Sequence, residues 1–232
     1  MTPRRGRPGR PRHIAYGGDA PPREQILHAA ARLFVGRGFA ATSTREIADA
    51  VGIRQASLYY HFANKDEILA ELLERSVRPT VDKIDKIEQL VPPETHETAL
   101  YLLALVDVRT LATAPNNIGV LSRLPDVTSS AAFEQFRNDR SELVDAYGRL
   151  GASIARATIV DLVGRRSLGE MLVQVVDTVI NVRCAGEPAG PRMAEAVATT
   201  CLRMCGSDDQ QIMAASSAAT QLLEAFHDEP LH

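Results

Sequence analysis

The run from Thr42 to Asp66, TSTREIADAVGIRQASLYYHFANKD, constrains the fold more tightly than any other stretch of the chain. Ser43 followed by Glu46 is a capping-box pattern, in which hydroxyl and carboxylate satisfy the free amides at a helix start. Ile47, Ala48 and Val51 give the helix that follows an apolar side at 3–4 spacing. Gly52 suits the left-handed residue that often closes a helix. After a short connection from Ile53, a second helix from about Gln55 to Phe62 has Leu58 and Phe62 four apart for burial. Asn64 with Glu67 repeats the capping pattern and opens a third helix. Two short helices joined by a tight Gly-containing turn make a helix-turn-helix, whose second helix can enter the DNA major groove.

The exposed side of that second helix carries Gln55, Ser57, Tyr59, Tyr60 and His61, all capable of hydrogen bonding, with Arg54 just ahead. No acid occurs from Arg54 to Asn64, whereas an ordinary solvated helix would mix Glu with Lys. Such a face suits a polyanion. Charge along the chain agrees. Residues 1–65 hold 11 Lys and Arg against 4 acids, a net +7, while the rest holds 15 against 25, a net −10, giving −3 overall. A basic N-terminal part beside an acidic remainder points to localised phosphate binding.

The segment from Arg23 to Leu69, including LFVGRGFAATSTREIADAVGI and SLYYHFANKDEIL, resembles the DNA-binding domain of the TetR/AcrR family of bacterial transcriptional regulators. The resemblance covers about a fifth of the chain and includes the distinctive LYYHF-x-NK; beyond it, only length, helical pattern and position are similar. It implies an all-α fold: a three-helix helix-turn-helix domain over 23–68, then a larger helical bundle over 69–232 for ligand binding and dimerisation. It also places Arg54, Gln55, Ala56, Ser57 and Tyr59 where side chains meet base edges. Gln can read adenine, Arg guanine, and Ala a thymine methyl. Thr44, Tyr60, His61 and Lys65 are the phosphate contacts the resemblance implies, and Arg45 joins the DNA-binding set. The implied partners are a double-stranded operator, a small-molecule effector and a second copy of the chain.

Residues 1–22 read as a basic, disordered arm, rich in Gly, Pro and Arg. Its RRGRPGRPR resembles the AT-hook motif, which would lay Arg5, Arg7, Arg10 or Arg12 in a narrow minor groove. The alternative is a solvated tail. From Arg23 to Arg37, Ile26, Leu27, Ala30, Leu33 and Phe34 mark a helix that packs behind the helix-turn-helix. A helix from Lys65 to Val77 is expected to be interrupted by a kink or break at Pro79, which lacks a backbone donor. Further helices follow over Thr95–Thr113, Asn116–Arg123, Ser129 to about Ala157 with a break at Gly148 or Gly151, Ser167–Cys184, Arg192–Cys205 and Asp208–His227. The TIVDLV stretch at 158–163 reads as a helix end and linker.

Polar residues in otherwise apolar helices are the candidates for orienting an effector: Asp107 and Arg109, then Gln174, Asp177 and Asn181. Tyr101, Phe133, Phe136 and Tyr147 are candidate walls. The alternative places these polar groups against solvent or a partner subunit. Cys201 and Cys205 lie four apart, but no histidine or further cysteine completes a metal site, and small apolar filler is the reading adopted over a thiol sensor. Neither cofactor nor metal is expected. Three cysteines form no disulfide framework and suggest a reducing cytoplasm. No apolar run reaches a membrane span, and the first residues lack a secretory pattern. No G-x-S-x-G, H-E-x-x-H or phosphate-cradling Gly loop is present, so an enzyme is not the expectation. The competing reading is a constitutive architectural DNA binder working through its Arg-rich arm.

Overall fold

In the computed structural model, which describes residues 20–225, every regular element is a helix. Helix α1 (Pro22–Arg37) opens with a proline, whose fixed φ suits a first turn, and closes at Gly38. At α2 (Thr44–Val51) the capping box forms: Ser43 Oγ accepts from the Glu46 amide, and the Glu46 carboxylate accepts from the Ser43 amide at 2.8 Å. Gly52 ends α2 at φ 80°, a left-handed conformation that glycine adopts at little cost. Helix α3 (Gln55–His61) stops one residue before the expected end, since Phe62 is already extended. Phe34, Phe39, Ile47, Leu58, Phe62, Ile68 and Leu69 are all buried and form the N-terminal part of one continuous core.

Helix α4 (Lys65–Val81) carries two corrections. Asn64 caps the Glu67 amide as expected, but the Glu67 carboxylate takes the Ala63 amide at 2.6 Å, one residue upstream of the expected partner. Pro79 does not break the helix, which runs on to Val81. So near the end, the proline forfeits one intrahelical bond, and the burial of Val77, Thr80 and Val81 outweighs it. The break comes after Asp82, before α5 (Ile84–Leu90). The boundary expected at 68/69 thus falls inside a continuous helix. Paired bonds from Arg75, past the middle of this helix, to Glu24 at 2.6 and 2.8 Å tie it to α1, and the helix also packs against the helices that follow. That pairing holds the Glu24 carboxyl below its usual range.

The body is built around α6 (His96–Thr113), buried without interruption from Thr98 to Val108. Such all-round burial marks a central helix. A 3-10 segment (Pro115–Arg123) and the single turn α7 (Pro125–Thr128) lead to α8 (Phe133–Ile154). Then come α9 (Ala157–Val163), α10 (Arg165–Val176), α11 (Thr178–Cys184), α12 (Pro191–Cys205) and α13 (Asp209–Ala225). Three expectations change here. The long helix starts at Phe133 and passes unbroken through Gly148 and Gly151, because these glycines serve a helix crossing. A Cβ on Gly169 of α10 would lie 2.2 Å from the Val144 carbonyl oxygen, and one on Gly148 would lie 2.7 Å from that of Arg165. The TIVDLV stretch forms a helix of its own, and the helix expected over Ser167–Cys184 divides at Asp177.

Cys201 and Cys205 are fully buried, and burial pushes their thiols up to about 12 and about 11, so both stay protonated as apolar filler. Among the described residues no three potential ligands gather at a metal site, and no single helix is long and apolar enough to cross a membrane.

Candidate nucleic-acid interface

Leu58 is wholly buried, and on the opposite side of α3 Tyr60 is 87% exposed. Arg54, Gln55, Ala56, Ser57 and Tyr59 are exposed beside it, and so is Arg45 on α2; Thr44 and His61 are half-buried. The ring and hydroxyl of Tyr60 are both open to solvent on a face that carries no acid. Tyr60 meets His61 edge-on, with ring centroids 5.3 Å apart.

The first turns of α2 and α3 are tied by side chains. Gln55 Nε2 donates to Thr44 Oγ1 at 2.9 Å, and the Thr44 and Tyr59 hydroxyls lie 3.1 Å apart. These bonds fix the angle between the two helices and hold Gln55 and Tyr59 in defined positions. Lys65 is more committed than the sequence suggests. Its ammonium donates to the carbonyls of Phe39 and Thr42, both at 2.8 Å, and sits 4.2 Å from the centroid of the Phe39 ring. Two of its three donors therefore hold the α1–α2 loop, leaving one for a phosphate. Arg5, Arg7, Arg10 and Arg12 lie outside the described residues.

The nine effector candidates do not converge on one place. Asp107 and Tyr147 meet in the core: Tyr147 Oη donates to Asp107 Oδ2 at 3.1 Å, and Thr80 Oγ1 of α4 donates to Oδ1 at 3.2 Å. Burial, with the charge of Asp177 as a smaller cause, pushes the Asp107 carboxyl up to about 7; burial also raises the Tyr147 hydroxyl. Tyr101 is buried on α6, at the floor of a shallow groove between α12 and α13. Arg109 is exposed on the outside of α6. Asp177 is buried against Arg140 at 2.5 Å, while Asn181 accepts from Arg123 at 2.5 Å. Phe133, Phe136 and Gln174 line a groove of about 550 Å³ between α8 and α10.

That groove also contains Arg137, Arg140 and Arg166, none of them singled out by sequence. The signal was available, since Phe133, Phe136, Arg137, Arg140 and Val144 recur at helical spacing on one face of α8. Charged residues on such a face look solvated until the second wall is known.

Some comparisons with known proteins reach only the first part of the chain, and others nearly all of it. The model of the bacterial regulatory proteins, tetR family, matches residues 26–72. The HTH-type transcriptional repressor KstR2 of Mycobacterium tuberculosis is 51% identical over 51 residues, 22% of this chain and 26% of the relative. The HTH-type transcriptional regulator TtgR of Pseudomonas putida is 37% identical over 67 residues, 29% of this chain and 31% of its own. The chain thus spans about a quarter to a third of the length of these curated relatives. A TetR family transcriptional regulator, PfmR from Thermus thermophilus, shares the fold at TM-score 0.59 and 22% identity, over 82% of this chain and 98% of its own. The crystal structure of Mycobacterium smegmatis AmtR is similar throughout, at TM-score 0.76 and 33% identity, over 93% of this chain and 98% of that one. On that full-length similarity, together with the matched helix-turn-helix, the chain belongs to the tetR family of bacterial regulatory proteins.

Proposed function

We propose that this protein is a sequence-specific DNA-binding transcriptional repressor, working in the cytoplasm as a homodimer and released from a palindromic operator when a small molecule binds its helical body. The observation that carries the reading is the acid-free face of α3. It is exposed, polar and oriented by the Gln55–Thr44–Tyr59 bonds, with Tyr60 standing out from it. Arg54, Gln55, Ala56, Ser57 and Tyr59 read base edges, and Thr44, Arg45, Tyr60, His61 and the remaining Lys65 donor engage phosphates. The similarity to regulators named as repressors supports the sign of the effect.

One head of this size makes too few base contacts for genomic specificity, so two heads on half-sites about one helical turn apart complete the reader. The outer face of α12 and α13, where Thr199, Met213, Ser217 and Thr220 surround a groove with Glu195 as its one charged lining residue, suits a partner subunit. Head and dimerisation body would meet within α4, near the 68/69 boundary.

The test is selection from random duplexes with the purified full chain, followed by titration of the enriched sequence in increasing salt. An inverted repeat whose affinity falls steeply with salt, yet stays well above that of a scrambled duplex, is the expected result. Enrichment of no sequence would refute the reading. Deleting residues 1–20 should lower affinity moderately and keep the preference; near-total loss would favour the architectural alternative.

A further inference from the structure

The groove between α8 and α10 joins an apolar floor to a cationic rim. Phe133 and Phe136 lie with ring centroids 5.1 Å apart, and Val173 closes the floor from α10. The lining holds three arginines and one acid, Glu170. Arg137 stands 5.7 Å from the centroid of the Phe133 ring and pairs with no carboxylate among the described residues. Arg166 is loosely held, 3.2 Å from Asp145 and 3.5 Å from Glu170, with all three side chains more than half exposed. Exposed pairs of this kind are worth little and are easily exchanged for another anion. We propose that this groove binds a small organic anion, an apolar body with a single acidic head group that Arg137 and Arg166 clasp while the body lies on the two phenylalanines.

The inference rests on the reading of the body as the sensing part, and the route from groove to head gives it a mechanism. Arg140 joins the groove to Asp177 at 2.5 Å. Arg123 of the 3-10 segment donates to the Asp177 backbone carbonyl at 3.0 Å and lies 3.9 Å from its carboxylate. The same segment reaches the head, where Asn116 Nδ2 donates to the His28 carbonyl at 3.4 Å. An anion that draws Arg140 away from Asp177 leaves that carboxylate to Arg123 and shifts the segment lying against α1. Such a ligand binds the two arrangements with different affinity, which is what a switch requires.

The chain has no tryptophan, so a Phe133→Trp variant reports from this groove alone. The probe is 1-anilinonaphthalene-8-sulfonate, with N-phenyl-1-naphthylamine as its uncharged counterpart. We expect saturable energy transfer from the introduced indole to the sulfonate, and binding weakened about tenfold both by Arg137→Gln and by removal of the sulfonate. Arg137→Gln breaks no ion pair, and unchanged helicity and melting temperature will show that its fold is intact; Arg166→Gln serves as a second variant. If either arginine variant binds within twofold of the parent, or the uncharged probe binds equally well, the proposal is overturned. Arginine-dependent probe binding that leaves affinity for the selected duplex unchanged would uphold the anion site and refute the sensing reading. A different ligand that releases DNA irrespective of Arg137 and Arg166 would do the reverse.

Discussion

Replacing Asp107 with asparagine should make the protein less sensitive to pH. Asp107 is 2% exposed and faces Thr80 from α4, Tyr147 from α8, and, at longer range, Asp177, Arg140 and Cys201. Burial raises its carboxyl to about 7 in the folded chain, against about 3.9 when unfolded. A carboxyl raised by folding gives stability that is complete below the unfolded value and is lost as pH rises through the folded one. Here the loss runs from about pH 4 to pH 7. Three pH units at about 1.4 kcal/mol each set an upper scale of about 4 kcal/mol, of which about 2–3 kcal/mol falls between pH 5 and pH 8. Asparagine keeps an acceptor for the Thr80 hydroxyl, can donate to Tyr147 Oη, and carries no charge to bury.

The assay is urea unfolding followed by circular dichroism, at one protein concentration because assembly would shift the midpoint. With a slope of about 2–3 kcal/mol per molar urea, the parent should lose about 1 M of midpoint from pH 5 to pH 8 relative to Asp107→Asn. Taking the difference between the two proteins cancels the histidines and every other group that titrates alike in both. Parallel midpoints across that range would refute the argument, because they would mean that the buried carboxyl is already charged at pH 5.

Gly169→Ala should destabilise by about 1–3 kcal/mol, because its Cβ would meet the Val144 carbonyl at 2.2 Å and drive α8 and α10 apart. Melting temperature measures this, with Gly36→Ala, which meets nothing within 4 Å, as the neutral or stabilising control. Ser43→Ala removes one half of the capping box and should cost about 1 kcal/mol, seen first as faster amide exchange in α2. Tyr60→Phe should leave stability within about 0.5 kcal/mol, since the side chain is exposed. The same variant should weaken binding to the selected duplex about tenfold by fluorescence anisotropy, if its hydroxyl donates to a phosphate.

The head was legible in the sequence because its determinants are local. A serine three residues before a glutamate, a glycine at a helix end and two apolar residues four apart each specify a conformation within one or two turns. The body was harder because the same residue types take their meaning from neighbours distant in sequence. Gly148 and Gly151 read as breaks in one long helix until α10 is seen to lie close against both. Pro79 reads as an end, yet three buried residues around it hold the helix together. Asp107 and Arg109 interrupt one apolar helix in the same way, but about 200° of helical rotation sends the first into the core and the second outward. The effector candidates scattered for this reason: polarity within an apolar helix marks a residue as unusual without saying what it faces.

The junction between head and body is where local strain and long-range contacts meet. Asn116 and Asn117 are consecutive non-glycine residues in left-handed backbone, at φ 54° and 52°. Asparagine tolerates this better than most residues, but each position still costs on the order of 1 kcal/mol. The surroundings supply the hold. Arg183 of α11 donates to the carbonyls of Leu111 and Ala114 at 2.5 and 2.7 Å, and Asn117 Nδ2 donates to the Ile180 carbonyl at 3.0 Å. The connection between α6 and the 3-10 segment is therefore pinned to α11, and α11 begins just after Asp177, where Arg140 and Arg123 converge. Beyond the segment, Asp126 of α7 accepts from the Ala40 amide at 2.6 Å, on the loop that leads into α2. Without the Arg183 bonds the two asparagines would gain by relaxing to ordinary backbone, and the segment would lose part of its hold beside α1. Under the proposed reading, the effector has to supply only the difference between those two arrangements, a few kcal/mol, because the strain in the bend already opposes the bonds that hold it.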